Sequence, residues 1–274
     1  MTYAQVLVGT DGSPTATKAV ATASRLALVL ETPLVVITAW QRRLDDPPPP
    51  SEEASYPAGG GAAGSEAAWA TTTTTEAASI ARQIGVTDVR QSQPIGGAGD
   101  ALLQVAEEHP DALMVVGTYG LAHRTERLIG NVPHALTHHS PIDLLLSTEP
   151  GDTWEHIGLA TDGSPTAALA VRRGLELARA LGAEASLLTA ARSREAAHRT
   201  LADVAQQLPE TAELPRRVAE GTDASKALAS AARDLDLLVI GNKGMSGPSR
   251  LLGSVANRIT HDVPTDLLLV NTTR

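Results

Sequence analysis

The stretch Asp11-Gly12-Ser13-Pro14-Thr15-Ala16 occurs a second time, letter for letter, as Asp162-Gly163-Ser164-Pro165-Thr166-Ala167. Two further blocks recur in the same order: Gly117-x-x-Gly120 as Gly241-x-x-Gly244, and Pro141-x-Asp143-Leu-Leu-Leu as Pro264-x-Asp266-Leu-Leu-Leu. A fixed order of repeated blocks indicates that a whole domain is duplicated. We therefore predict two domains, residues 1–148 and 152–274, joined by a short polar hinge rich in Pro and Gly.

The first repeat is longer than the second. Its first two blocks lie 106 residues apart, whereas those of the second repeat lie 79 apart. Much of the surplus falls in a tetraproline at 47–50 and a triglycine at 59–61, and a run of five threonines follows at 71–75. Proline tracts favour extended chain and glycine tracts are flexible, so neither builds a core. We predict a mobile loop over about 44–70 of domain 1.

Composition narrows the class of protein. The chain of 274 residues has 42% hydrophobic residues, no cysteine and a net charge of −9. The lack of cysteine excludes disulfide and thiolate chemistry, and the negative charge argues against a nucleic-acid partner. No apolar run reaches the roughly 20 residues that cross a bilayer, and no secretory signal is recognised. We expect a cytoplasmic protein without a membrane partner.

Short apolar runs such as Gln5–Thr10 and Leu34–Ala39 are typical of strands buried on both faces. Ser13-Pro14 and Ser164-Pro165 fit an N-cap followed by the first helical residue. Strands and helices alternate along both repeats, although we assign no element between 191 and 222. This alternation predicts an α/β fold with a five-stranded, mainly parallel sheet in each domain. Ligands of such sheets bind at the carboxyl ends of the strands.

The glycine pairs stand where a phosphate site is expected. Gly117 and Gly241 directly follow buried strands, and Gly130 and Gly253 open helices further along. Glycine allows backbone N–H groups to approach an anion, and a helix N-terminus adds unpaired donors with a partial positive charge. Each pair on its own could merely turn the chain. The recurrence of the pair between a strand and a helix favours phosphate binding. The site would be neither a Walker nor a Rossmann motif, because the sequence has neither pattern there.

Gly-x-x-Gly, nine residues, then Gly-Ser/Thr resembles the ATP-binding signature of the universal stress protein family. The resemblance covers nearly the whole chain as two tandem copies. It implies flavodoxin-like (adenine nucleotide alpha hydrolase-like) domains that bind ATP, with Mg²⁺ carried by the nucleotide. In such a site Asp11 and Asp162 contact ribose, the first two strands of each repeat line the adenine pocket, and the glycine loops hold phosphate. The implied residues are Gly9, Thr10, Asp11, Ala39, Gly117, Gly120, Gly130, Asn131, Val132, Ala160, Thr161, Asp162, Ala190, Gly241, Gly244, Gly253, Ser254 and Val255.

The two loops depart from the signature in different ways. The first keeps the nine-residue spacing but has Asn131 where Ser or Thr is usual, whereas the second keeps Ser254 but has eight residues between its glycines. We rank the second site ahead of the first. Tyr119 and His123 in the first loop, and Lys243 and Arg250 beside the second, could contact phosphate or simply face water.

The sequence offers less support for a metal site, a serine nucleophile or rapid ATP hydrolysis. His134 and His138 are four apart on a helix, but they lack a third ligand and we find neither in the second repeat, so we expect no metal site. Ser13 and Ser164 are helix caps without a His partner. No general base is placed to activate water, so we expect slow ATP hydrolysis at most. A nucleotidyl-transfer ligase of the related superfamily would need a further catalytic domain.

Two functions stay open. The first is a stress-response sensor or regulator that binds ATP. The alternative is an interaction scaffold that keeps the fold and holds no nucleotide. By the resemblance, the two repeats pair through their last strands within one chain, and two chains form a homodimer.

Overall fold

A computed structural model of the chain describes residues 3–41, 65–118, 130–148, 153–242 and 253–272. The elements of the first repeat are β1 Gln5–Gly9, α1 Pro14–Val29, β2 Leu34–Ile37, α2 Ser65–Ile84, β3 Val89–Ser92, α3 Ala98–Glu108, β4 Ala112–Gly117, α4 Asn131–His139 and β5 Asp143–Ser147. Those of the second are β6 His156–Ala160, α5 Pro165–Leu181, β7 Glu184–Ala191, α6 Arg194–Gln207, β8 Arg216–Glu220, α7 Ala224–Ala231, β9 Leu237–Gly241, α8 Ser254–Asp262 and β10 Asp266–Val270, with two short 3₁₀ turns after α6 and α7.

The ten strands form a single sheet in the order β3-β2-β1-β4-β5-β10-β9-β6-β7-β8. Neighbouring strands are parallel within each repeat, and β5 and β10 are antiparallel where the repeats meet. The α/β class with two five-stranded parallel halves is confirmed. Each half has the strand order 3-2-1-4-5, which differs from the 2-1-3-4-5 order of flavodoxin itself.

Helices cover both faces of the sheet. One buried cluster gathers residues of α1, α2, α5 and α6 from both repeats, and the other gathers residues of α3, α4, α7 and α8. The central strands are apolar on both sides because each side meets helices. None of the described helices is long and apolar enough to cross a membrane.

The repeated Asp-Gly-Ser-Pro blocks start α1 and α5 as predicted. The Ser13 hydroxyl accepts the Ala16 N–H at 3.2 Å, and the Ser164 hydroxyl accepts the Ala167 N–H at the same distance. Each side chain satisfies one of the N–H groups that a helix leaves without an internal partner. The N-cap roles of both serines are confirmed.

Helix α2 corrects one prediction. It begins at Ser65, so residues 65–70, which we predicted as loop, are its first turns. Threonine disfavours helix because its branched side chain loses rotamer freedom. Here the hydroxyls of four residues of the threonine run donate to the carbonyl oxygen one turn earlier, at 2.7–3.0 Å. The packing of this alanine-rich helix outweighs the low propensity of its threonines, with Thr73 and Thr74 buried.

The second correction concerns the stretch between 191 and 222, to which we assigned no element. It contains α6 and β8. Helix α6 has a polar surface and buries few side chains, among them Ala197, Leu201 and Val204. Strand β8 is an edge strand with two arginines. Both patterns are too polar to be recognised by their hydrophobic period.

The aspartates of the repeated Pro-x-Asp-Leu-Leu-Leu blocks join the two repeats reciprocally. Asp143 Oδ1 accepts the backbone N–H of Asn271 at 2.8 Å, just after β10. Asp266 Oδ1 accepts the backbone N–H of Thr148 at 2.8 Å, just after β5. Between these bonds, Leu144, Leu145 and Leu146 pair with Leu269, Leu268 and Leu267. The pairing of the last strands within one chain is therefore observed.

The second oxygen of each aspartate binds an aromatic side chain near the start of its own repeat. Tyr3 Oη donates to Asp143 Oδ2 at 2.7 Å, and Trp154 Nε1 donates to Asp266 Oδ2 at 3.1 Å. Burial, reinforced by the Asp143 charge, raises the pKa of Tyr3 well above its ordinary value, so the hydroxyl stays protonated and donates. Arg173 of α5 adds an ion pair to Asp143 at 3.8 Å and stacks over the Tyr3 ring.

Histidines meet on the opposite face of this junction. The rings of His134 and His138 lie 4.6 Å apart, and His138 hydrogen-bonds Asn257 of α8. Aligning α4 with α8 places Asn257 at the position of His134 and His261 at that of His138. Our statement that the second repeat lacks both histidines is thus wrong for His138.

We predict that Asp143→Asn lowers the free energy of unfolding by roughly 1–3 kcal/mol, because it weakens charge-assisted bonds to buried donors. Urea denaturation measures the change. Asp88→Asn is the matched control, since Asp88 forms an exposed ion pair with Arg90, and such pairs contribute little. If Asp143→Asn lowers the free energy of unfolding no more than Asp88→Asn does, the junction aspartate is dispensable for stability.

Acidification should destabilise the protein partly through His138. Desolvation, then the charges of His134, His139 and His261, lower the pKa of His138, although the bond to Asn257 opposes this. The unfolded chain therefore binds the proton first, so the stabilisation is complete above about pH 6.5 and is lost as the pH falls through the lowered pKa. We expect His138→Gln to lose less unfolding free energy between pH 7.5 and 5 than the wild type.

The matched control for this measurement is His198→Gln, because His198 is exposed on α6. Urea midpoints at both pH values give the comparison. The assignment to His138 fails when both variants show the wild-type pH dependence.

Candidate functional site

The described residues of the predicted sites lie at the carboxyl ends of the strands in both repeats. Gly9, Gly117, Ala160 and Gly241 are the last residues of β1, β4, β6 and β9. Ala39 lies just after β2, and Ala190 is the second-to-last residue of β7. Gly130 and Gly253 are the N-caps of α4 and α8, and the residues after them open those helices. Gly120 and Gly244 lie outside the described residues, as do Tyr119, His123, Lys243 and Arg250.

The turn after the first strand has the same geometry in both repeats. Asp11 Oδ1 accepts the Ser13 N–H at 3.0 Å, and Asp162 Oδ1 accepts the Ser164 N–H at 2.9 Å. The intervening glycines, Gly12 and Gly163, have φ of 75° and 81°, a left-handed conformation that favours glycine. The aspartate thus has a role in the turn, and a carboxylate retains further lone pairs for a ligand.

The glycines that end the fourth strand of each repeat bring that strand against the first helix. A Cβ on Gly117 would lie 2.9 Å from the backbone of Thr15, and one on Gly241 would lie 3.4 Å from the Thr166 carbonyl oxygen. In addition, the Thr10 and Thr161 N–H groups donate to the neighbouring strand at 2.9 Å. The strand ends and helix starts that were predicted from the sequence to form the site are therefore adjacent in space.

The second repeat has an open cavity of about 350 Å³ at this edge of the sheet. It is lined by all the described second-repeat residues that the sequence singled out: Ala160, Thr161, Asp162, Ala190, Gly241, Gly253, Ser254 and Val255. The structure adds lining residues from the starts of α5 and α7, from the end of β9 and from the first turn of α8: Ser164, Thr166, Ala167, Ala224, Leu228, Ile240 and Ala256.

Partial signals for these additional residues are present in the sequence. Ser164 and Thr166 belong to the repeated block, which we interpreted as a helix start rather than a cavity wall. Ala224 and Leu228 follow Asp223, whose side chain caps α7 by accepting the N–H groups of Ser225 and Lys226. The cap predicts only where α7 begins. That α7 forms a wall of the site depends on how it packs over the sheet, and no local sequence pattern specifies that packing.

The chemistry of the cavity is apolar on its sides and polar at two places. Asp162 is the one titratable side chain among its described lining residues, and it is exposed. The second polar place is the N-terminus of α8, where Gly253 and Ser254 present backbone N–H groups with the positive end of the helix dipole. An arrangement of this kind suits a ligand with a flat apolar part, hydroxyl groups and an anionic end.

A charged pair lies beside the cavity. Arg258 of α8 lies 3.6 Å from the Asp223 carboxylate at the start of α7. The Ser225 hydroxyl above all, together with the Lys226 and Ser225 backbone N–H groups and Arg258, lowers the pKa of Asp223. Among the described residues no group of three or more His, Asp or Glu side chains is arranged to hold a metal ion.

Comparison with known proteins agrees with this architecture. The family model described as "Universal stress protein family" matches residues 2–147 and again 153–271. Universal stress protein MT1672 of Mycobacterium tuberculosis (strain CDC 1551 / Oshkosh) is 30% identical over 144 residues, which is 53% of this chain and 95% of that protein.

Two solved structures illustrate the likeness at different lengths. A universal stress protein from Archaeoglobus fulgidus DSM 4304 has a TM-score of 0.68 at 15% identity, and the match covers 99% of this chain and 100% of that one. A universal stress protein in complex with cAMP is 29% identical over 53% of this chain and 97% of that one, with a TM-score of 0.39.

Two successive matches to one family model span nearly the whole chain, in step with the duplicated sheet. The chain therefore belongs to the universal stress protein family and carries two tandem domains of that family.

Proposed function

We propose that this protein binds ATP in the cavity of the second repeat and acts in the cytoplasm as a stress-response sensor or regulator. The observation that carries the proposal is the cavity itself, which gathers every described second-repeat residue that the sequence assigned to nucleotide binding. Family membership supports the stress-related role.

Each part of the nucleotide has a chemical match in the cavity. Ala160 and Ala190 offer apolar surface for the adenine ring. The Asp162 carboxylate can accept hydrogen bonds from ribose hydroxyls while Oδ1 continues to accept the Ser164 N–H. The amides at Gly241, Gly253 and Ser254 suit phosphate oxygens. Mg²⁺, where present, would be carried by the phosphates.

Rapid hydrolysis is not part of the proposal. Phosphoryl transfer to water requires a group that positions or deprotonates the water, together with dedicated charge stabilisation. Asp162, the one titratable side chain among the described lining residues, is assigned to the ribose hydroxyls in this proposal and not to the phosphates. We propose that the protein responds to whether ATP is bound and hydrolyses it slowly at most.

Association of two chains also stays a proposal. Strands β5 and β10 are already paired with each other inside one chain. A homodimer would therefore use a surface other than the last strands, and light scattering on the purified protein would determine its stoichiometry.

Titration of the purified protein with ATP, followed by calorimetry, tests the proposed ligand. We expect saturable binding, and nucleotide in the supernatant of the denatured protein by mass spectrometry. If there is no binding heat and no co-purified nucleotide, nucleotide binding is rejected and the scaffold alternative is favoured.

Asp162→Asn tests the ribose contact. The amide oxygen can still accept the Ser164 N–H, so the turn persists, whereas one charged acceptor for ribose is lost. We expect the Kd for ATP to rise roughly ten- to hundredfold, because a hydrogen bond to a charged group is worth about 1.5–3 kcal/mol. Asp203→Asn, at an exposed position on α6, is the control. Unchanged affinity in Asp162→Asn would remove this residue from the site.

A further inference from the structure

The two candidate sites are built from equivalent residues but differ in how open they are. In the second repeat, Gly241 and Gly253 are half-buried and line the cavity. Their counterparts Gly117 and Gly130 are buried. The turn after the first strand shows the same contrast, since Asp162 and Ser164 are more exposed than Asp11 and Ser13. The backbone that would bind phosphate is therefore less accessible in the first repeat.

One amide of the first phosphate site already has a protein partner. The Gly130 N–H, at the N-cap of α4, donates to the Thr118 carbonyl oxygen at 3.0 Å. It is one of the N–H groups at a helix start that an anion would otherwise satisfy. A phosphate at this position would first have to break that bond.

The floor of the first site is filled by a leucine. A Cβ on Gly9 would lie 2.9 Å from Leu102 Cδ1, so the Leu102 side chain occupies the space of the absent methyl group. The equivalent position in the second repeat is Ala160, which carries that methyl group, and the leucine equivalent to Leu102 is Leu228. Both line the open cavity. The missing Cβ thus lets α3 pack onto the first site.

Charge also distinguishes the sites. Arg258 lies one helical turn after Ser254 on α8, with its side chain exposed. The first repeat has Ala135 at that position, and a Cβ on Gly99 of α3 would lie 3.2 Å from the Ala135 Cβ. The Arg258–Asp223 ion pair therefore lies beside the second site, and small packed residues take the place of Arg258 in the first.

From these differences, and resting on the proposed function, we infer that each chain binds one nucleotide, in the second repeat, and that the first repeat is closed by its own packing. The first repeat then serves as the fixed half of the shared sheet. The duplication has produced one ligand-binding domain and one structural domain.

The test combines stoichiometry with the position of the ligand. Calorimetric titration of the full chain with ATP should give one site per chain. Photoaffinity labelling with 8-azido-ATP, followed by peptide mapping, should label peptides of the second repeat. Labelling uses the wild-type protein, so this result does not depend on the folding of a variant.

Ser254→Glu and Asn131→Glu form a matched pair of variants. Both residues are exposed at the first position of a helix, where a carboxylate stabilises the helix and repels phosphate. We expect Ser254→Glu to weaken ATP binding at least tenfold and Asn131→Glu to leave it within twofold, with both melting temperatures at or above that of the wild type.

The outcomes separate the two claims. Two sites per chain, labelling of the first repeat, or equal loss in both variants would overturn the inference of a single site and leave ATP binding intact. No binding by the wild type would reject the proposed function and this inference with it.

Discussion

The structure depends on two buried carboxylates at the meeting point of the repeats. Asp143 and Asp266 each accept the first backbone N–H beyond the partner's last strand, and each anchors an aromatic side chain of its own repeat. A sheet edge left open would expose a row of unpaired backbone groups. The carboxylates define where the β5–β10 pairing ends, and the three leucine pairs between them define its register.

This junction turns two domains into one continuous sheet. Helices of both repeats share the buried cluster on each face, so the apolar core runs across the junction. The antiparallel contact relates the repeats approximately by a two-fold axis, which places the carboxyl ends of the two parallel halves at opposite ends of the molecule. Each site is therefore built within its own repeat, and one site can diverge without disturbing the other.

Much of the fold could be predicted because local chemistry specifies it. The Ser-Pro pairs that start α1 and α5, the buried strands and the glycines at strand ends each have a physical cause in a few adjacent residues. Residues 65–70 of α2 were assigned to the loop because they follow a glycine-rich stretch, and α6 was not assigned because its surface is polar. The partners of Asp143 and Asp266 lie more than 100 positions away, and no local pattern specifies them.

The same limit applies to the sites. The sequence identified the strand ends and ranked the second repeat ahead of the first on the basis of Ser254 and Asn131. The structure adds a difference in packing, because the Leu102 side chain occupies the space that a methyl group on Gly9 would take. Such packing depends on contacts between strands and helices far apart in the chain.

Amide hydrogen exchange with and without ATP is the most direct test of a single nucleotide site in the second repeat, because it reports on both repeats in one experiment. We expect slower exchange in peptides covering 160–167 and 253–256 when ATP is present, and unchanged exchange in the equivalent peptides 9–16 and 130–133. Equal protection of both sets, or protection of neither, would contradict it.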